Sequence, residues 1–296
     1  MAGTDQFIGE ELAPHENQAQ TARFHVIPCG LEKSVSYGTG THRGPEAIIA
    51  ASHQLERLID GMEPASSGIF THGKIDCSQP VEQVMDRLSD ECRTAVQAGH
   101  IPVTLGGEHA LSYGAVRGVM QSMGEERVGV IQIDAHADLR KNYQGNRYSH
   151  ASVMNLLCEE GISLMQIGVR AISAEEVEAR EHFGVSACDG FDLIRQNIQQ
   201  ITLPADFPRA VYISFDLDGL DPSILPATGT PVPGGLNYIQ ALDYVSSAVS
   251  GRQVVGLDIV ELAPSDAHPA SDFIAAMICY HLMGIADASC AAHHRA

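Results

Sequence analysis

The amino-acid sequence predicts an α/β fold with a parallel sheet covered by helices on both faces. Three observations lead there. Short β-rich runs alternate with longer segments of helical periodicity along the 296 residues, the order that generates parallel strands. Several of the β-rich runs are apolar on both faces, as strands sandwiched between helix layers must be. No repeat, low-complexity tract or Pro/Ser linker divides the chain, so one domain over residues 1–296 is expected, with 1–20 as a flexible or peripheral segment.

In chain order, the strands are expected at 23–30 (RFHVIPCG), 101–107 (IPVTLGG), 128–138 (VGVIQIDAHAD), 162–169 (ISLMQIGV), 210–218 (AVYISFDLD) and 253–262 (QVVGLDIVEL). Helical periodicity predicts helices over 44–62, 80–99, 149–161, 237–251 and 271–289,. The Gly-rich stretch SYGTGTHRGPEA, residues 36–47, reads equally as a loop over a ligand mouth or as a plain strand-to-helix connection. Pro45 sits at or near the following helix start,.

Composition narrows the function. Hydrophobic residues make up 44% and aromatics 5%, with no Trp, as in an ordinary globular protein,. No apolar run reaches the ~18 residues of a membrane span, and the polar, acidic N-terminus argues against a secretory signal. Seven scattered cysteines without CxxC spacing suit reduced thiols, so a cytoplasmic location is expected,. A formal charge of −19 disfavours nucleic acid and would concentrate a small cationic substrate,.

The residues that carry chemistry gather at strand carboxyl ends, where parallel sheets bind ligands. LGGEHALS, DAHADLR, DLDGLDP and DIVELAPSD each follow a strand. In IQIDAHADLR, a continuing strand places Asp134, His136 and Asp138 on one face,. Such a cluster needs a divalent metal, an Arg or Lys group, or solvent to offset its charge. Asp216 and Asp218 repeat the pattern, and His109 stands where GGEH passes from strand to helix. Singly, each Asp reads as a turn former and His109 as a helix-start residue. Together they read as a metal site. Six ligands are too many for one tetrahedral zinc and suit two ions ~3.5–4 Å apart. Four Asp and two His without a thiolate favour Mn²⁺ over zinc.

GGEHALS, DAHADLR, SFDLDGLDPSILPATGTPVPGG and GLDIVELAPSDA resemble the ureohydrolases, the family of arginase and agmatinase, and DLRKNYQGNRYSHASVM is most similar to the agmatinase branch. The resemblance implies a three-layer α/β/α fold around a mostly parallel eight-stranded sheet, two Mn²⁺ per subunit, and a homotrimer or homohexamer. The family's ligands fall on His109, Asp134, His136, Asp138, Asp216 and Asp218, its proton shuttle on His150, and its guanidinium-binding carboxylate on Glu261. The last two would otherwise read as a loop histidine and an ordinary ion-pair partner. The implied reaction is attack of a metal-activated water on a guanidinium held by Glu261, with Asp138 relaying a proton and His150 exchanging protons with solvent.

Two positions depart from the arginase pattern: Glu108 stands where arginases have Asp, and Ala110 where they have Ser. Neither is a ligand, so tuning is expected. Arg140 and Asn146 replace the polar groups that recognise arginine's α-carboxylate and α-amine. Both become candidate substrate-binding residues, and arginine is expected to be a poor substrate. Agmatine ranks first. Arg140 and Arg147 at the mouth would instead suit 4-guanidinobutyrate or 3-guanidinopropionate, unless they pair with carboxylates. A catalytically silent assembly subunit is the remaining alternative, and the intact ligand set counts against it. His293 and His294 read as a solvated tail.

Overall fold

The computed structural model describes residues 5–291; His293 and His294 lie outside them. Eight strands form one sheet: β1 (Phe24–Cys29), β2 (Ile69–Thr71), β3 (Ile101–Gly106), β4 (Val128–Ile133), β5 (Ser163–Ile167), β6 (Ser186–Cys188), β7 (Ala210–Asp216) and β8 (Gln253–Val260). Their spatial order is β2-β1-β3-β8-β7-β4-β5-β6, and every pair is parallel. The helices are α1 (Gly44–Ser52), α2 (Val81–Gln97), α3 (Ser112–Ser122), α4 (Val153–Glu159), α5 (Ala174–Phe183), α6 (Gly190–Arg195), α7 (Tyr238–Ala248) and α8 (Ala270–Ala291).

Strand alternation divides the apolar residues between two cores. Ile131, Ile213 and Phe215 join Ile48 of α1, Val245 of α7 and Met283 of α8 on one face. Val130 and Tyr212, one residue out of phase, join Leu88 of α2, Val116 of α3 and Met154 of α4 on the other. That two-sided burial is what strands apolar on both faces require. Among the described residues, no helix is long and apolar enough to cross a membrane.

The strands were legible except at the sheet edges. β2 and β6 span three residues each, too short for alternation to register. α1 stops at Ser52, ten residues before its periodicity does. The Ser52 hydroxyl donates to the Ile49 carbonyl and accepts the Ile8 amide, and side chain-to-backbone bonds of this kind compete with helix continuation. α3 carries two internal glycines that weaken its helical signature. The reason is packing: a Cβ on Gly118 would lie 2.2 Å from the Ser89 carbonyl oxygen of α2.

The N-terminal segment differs from the expectation. Phe7 and Ile8 are fully buried in the first core. The Phe7 amide donates to Thr71 Oγ1 at 3.0 Å, and Arg57 pairs with Glu16 at 2.8 Å. From residue 5 onward the segment is tied to the packed body, because Phe7, Ile8 and Leu12 join the core and the Phe7 and Ile8 amides bond to β2 and α1.

Candidate metal centre

β4 and β7 end sooner than the alternation predicted, at Ile133 and Asp216. Asp134, His136 and Asp138 therefore occupy irregular backbone, with Asp138 at a left-handed φ of 53°, and Asp218 lies in a 3-10 turn over Leu217–Gly219. The expected single strand face is replaced by a cup. Within it, His109, Asp134 and Asp216 form one group of converging donor atoms, and Asp134, His136 and Asp218 a second. Asp134 belongs to both. Asp138 stands beside the first group, its Oδ2 2.9 Å from His109 Nδ1. All six expected ligands meet in one place.

Three of the four carboxylates are aimed by a backbone amide or a side chain. Asp134 Oδ1 accepts the His136 amide at 2.6 Å, and its Oδ2 accepts Gln132 Nε2 at 2.7 Å. Asp216 accepts the Asp218 amide at 2.9 Å, and Asp218 accepts the Ala135 amide at 3.1 Å. The Arg170 guanidinium ties down the turn beneath Asp218, donating to the carbonyls of Asp218, Gly219, Leu220 and Val232.

One layer below the ligands, the strand register lines up Thr104, Asp258, Ser214, Gln132 and Gln166 across β3, β8, β7, β4 and β5. All five are fully buried, a polar row inside a sheet otherwise filled with apolar side chains. Ser214 donates to Asp258 at 2.9 Å, so the same hydroxyl oxygen is free to accept from His109 Nε2 at 2.8 Å. That chain keeps a proton on Nε2, so Nδ1 is the atom that meets the carboxylates, through a second proton or a metal ion.

The orphaned Nδ1 tests whether a metal fits. It lies 3.1, 2.9 and 3.2 Å from oxygens of Asp134, Asp138 and Asp216, yet it makes no hydrogen bond of acceptable geometry. A buried Nδ1 facing three carboxylates calls for a cation between them, either a proton or a metal ion. Donor atoms about 3 Å apart match adjacent corners of an octahedron with bonds of about 2.1 Å. The residues fit.

Protein charges alone show the same demand. Burial opposes protonation of His136, but Asp134 and Asp218 push it up to about 12. His109 is also raised well above the usual histidine value, against its burial, by Asp134, Asp138 and Asp216. Burial, followed by the Asp134 charge, pushes Asp138 up to about 7. The imidazoles hold protons and a carboxylate approaches neutrality because the cup is short of positive charge.

A cavity of about 420 Å³ opens above the cup, and His136, Asp138, Arg140, Tyr143, His150 and Glu176 are among the residues lining it. His150 is thus at the mouth, as expected. Burial, then the positive His109 and His136, lowers it to about 4. Glu261 follows β8 at a left-handed φ of 67°. One of its oxygens accepts the His109 amide at 2.6 Å; Glu261 is not among the residues lining the cavity, and burial raises its carboxyl well above the usual value. Backbone strain at Asp138 and Glu261 is of the kind held at working sites.

One expectation is corrected, and for Arg147 the alternative of pairing with a carboxylate holds. Asn146 does not line the cavity; its amide is spent on the backbone of Tyr148, as both donor and acceptor. Arg147 pairs with Glu159 at 2.5 Å, away from the mouth. Arg140 does line the cavity, but it lies 3.9 Å from Glu176 and over the Tyr143 ring. Among the described residues lining the cavity, Arg140 is the one Arg or Lys. Sequence reasoning overlooked Ser214, Asp258 and Gln132, although each is a polar residue inside an apolar run. Arg170, Glu176 and Ser34 carried no signal of their own.

The model of the arginase family matches residues 22–284, from just before β1 into α8. The chain belongs to the arginase family. As an arginase-family protein it is a metal-dependent amidinohydrolase acting on guanidino compounds. It is 35% identical to N(1)-aminopropylagmatine ureohydrolase of Thermus thermophilus, with 94% of each chain covered. The enzyme of the same name from Synechocystis sp. is 33% identical, over 96% of this chain and 94% of the relative. Agmatine ureohydrolase of Thermoplasma volcanium superposes with a TM-score of 0.80 at 29% identity, covering 94% of each chain. The arginase-like three-layer fold around an eight-stranded sheet is thereby established.

Proposed function

We propose that the chain is a binuclear Mn²⁺ hydrolase that releases urea from an agmatine unit, with N(1)-aminopropylagmatine as its physiological form and free agmatine as a shorter alternative. The observation that carries the reading is the pair of donor groups sharing Asp134 beneath a cavity in which Arg140, the one Arg or Lys among the described lining residues, lies beside Glu176. The aminopropyl extension is favoured by the two relatives so named and by a cavity of about 420 Å³, roomier than agmatine needs.

His109, Asp134, His136, Asp138, Asp216 and Asp218 would hold two cations, whose chemistry is to lower the pKa of water so that it attacks at neutral pH. The remaining steps belong to the chain. Glu261 binds the guanidinium through its second oxygen by charge-assisted hydrogen bonds and orients the central carbon. Asp138, beside the reacting atoms, relays a proton from the attacking water to the departing amine. His150 exchanges that proton with solvent at the mouth. A chain charge of −19 draws in a polyamine cation. We further propose a cytoplasmic homotrimer or homohexamer, which light scattering on the purified protein measures.

The test is urea release by Mn²⁺-loaded protein with N(1)-aminopropylagmatine, agmatine, 4-guanidinobutyrate and arginine. The expected order of kcat/KM is the order in which they are written. Preference for arginine or the guanidino acid overturns the substrate assignment, and no urea from any of the four promotes the silent-subunit alternative.

A further inference from the structure

Behind His150 lies a buried carboxylate that the reaction does not use directly. Glu108 is fully buried, and three donors point at its two oxygens. The Lys33 amide donates to Oε1 at 3.1 Å, and the Ser34 amide and hydroxyl donate to Oε2 at 2.7 and 2.9 Å. The Ser34 oxygen in turn meets the His150 amide at 3.0 Å and His150 Nδ1 at 3.2 Å.

A hydroxyl has one proton and two lone pairs. Ser34 gives its proton to Glu108 and uses one lone pair on the His150 amide. Its second lone pair is all that remains for Nδ1, so Nδ1 must carry the hydrogen. We infer that Glu108 and Ser34 are positioning residues that fix His150 as the Nδ1–H tautomer and present Nε2 to the cavity as an unprotonated base. The inference rests on the assignment of His150 as the proton shuttle. The Tyr143 ring, edge-on to the imidazole at 5.4 Å, adds a steric stop to the hydrogen-bonded one. The same geometry gives the Glu at position 108 a purpose: an Asp, one methylene shorter, cannot reach residues 33 and 34 from the same backbone.

The experiment uses the full-length chain labelled with ¹⁵N-histidine and loaded with Mg²⁺ in place of paramagnetic Mn²⁺. Long-range ¹H–¹⁵N spectra then report the His150 tautomer, assigned by the resonance lost in His150→Asn. The wild type is expected to show Nδ1–H. Ser34→Ala is expected to give a mixture of tautomers, while Ser34→Thr, which keeps the hydroxyl, restores the single form. In the Mn²⁺ enzyme, Ser34→Ala should lower kcat about tenfold, a fraction of what a general acid–base group supplies. KM should stay within about threefold and the metal content at the wild-type level. Glu108→Asp should move in the same direction as Ser34→Ala. A wild-type His150 protonated at Nε2 overturns the inference, as does a Ser34→Ala protein with unchanged tautomer and kcat. If the wild type hydrolyses no guanidino compound, the functional reading falls and the tautomer spectra alone decide this one.

Discussion

Asp134 is the residue on which the centre turns, because both donor groups include it. Asp134→Ala should therefore lose both ions, lowering metal content below one per chain and urea release at least ~1000-fold, whereas a change at Asp218 alone should spare the first group. Elemental analysis of the dialysed proteins distinguishes the two patterns. Ser214→Ala touches no metal but frees the His109 ring, and an outer partner of a ligand histidine is worth about 10–100-fold in metal affinity. Acidity acts on the same atoms. His109 and His136 retain protons far above the usual range, and a cation must displace them. Apparent Mn²⁺ affinity should therefore fall as pH drops from 9 to 7, by about tenfold per unit for each proton released, measurable by chelator competition. At this scale the sequence was most informative: six candidate ligands that the fold brings together followed from Asp, His and strand ends. Asn146 was misjudged because a side chain's choice between a cavity and its own turn is invisible in a one-dimensional pattern.

At the scale of elements, the β3–α3 junction is where geometry is tightest. A Cβ on Gly107 would come 2.0 Å from the Leu31 carbonyl oxygen, while the neighbouring Glu108 amide donates to that same carbonyl at 2.7 Å. Gly107→Ala should cost about 2–3 kcal/mol in denaturant unfolding and should also disturb His109 two residues on. β1 contributes a pH dependence of its own. His25 is 5% exposed, its Nδ1 2.8 Å from His72 Nε2 and its ring stacked 4.0 Å from that of His100. Burial, with the neighbouring His100 and His72, lowers it to about 4. The unfolded chain then binds the proton first, so stability is full above the ordinary histidine value and is lost as pH falls towards 4. Between pH 7 and 5 the loss should be about 2 kcal/mol, and His25→Gln should flatten it in thermal melts.

For the whole molecule, the packed N-terminal segment is the feature that sequence reasoning got backwards. Removing residues 1–12 uncovers the space filled by Phe7 and Ile8, side chains worth about 1.5–3 kcal/mol each when buried. The truncated protein should melt at least ~5 °C lower while keeping its ligands. A polar stretch with Phe7, Ile8 and Leu12 scattered in it has no periodicity to read, so its docking is decided by the tertiary contacts it finds.

By itself the sequence determined the α/β class, the two-sided core and which residues are candidate metal ligands, because apolar period, element order and ligand chemistry are local properties of the chain. Tertiary structure alone decided how those ligands divide into two groups sharing Asp134, and how a buried polar row from five strands stands behind them. It also decided which cations at the mouth are spent on neighbours. Those outcomes depend on strand register and on contacts between residues far apart in the chain, such as Ser34 and His150 or Ser214 and Asp258. No local pattern encodes a distance of that kind until the sheet has formed.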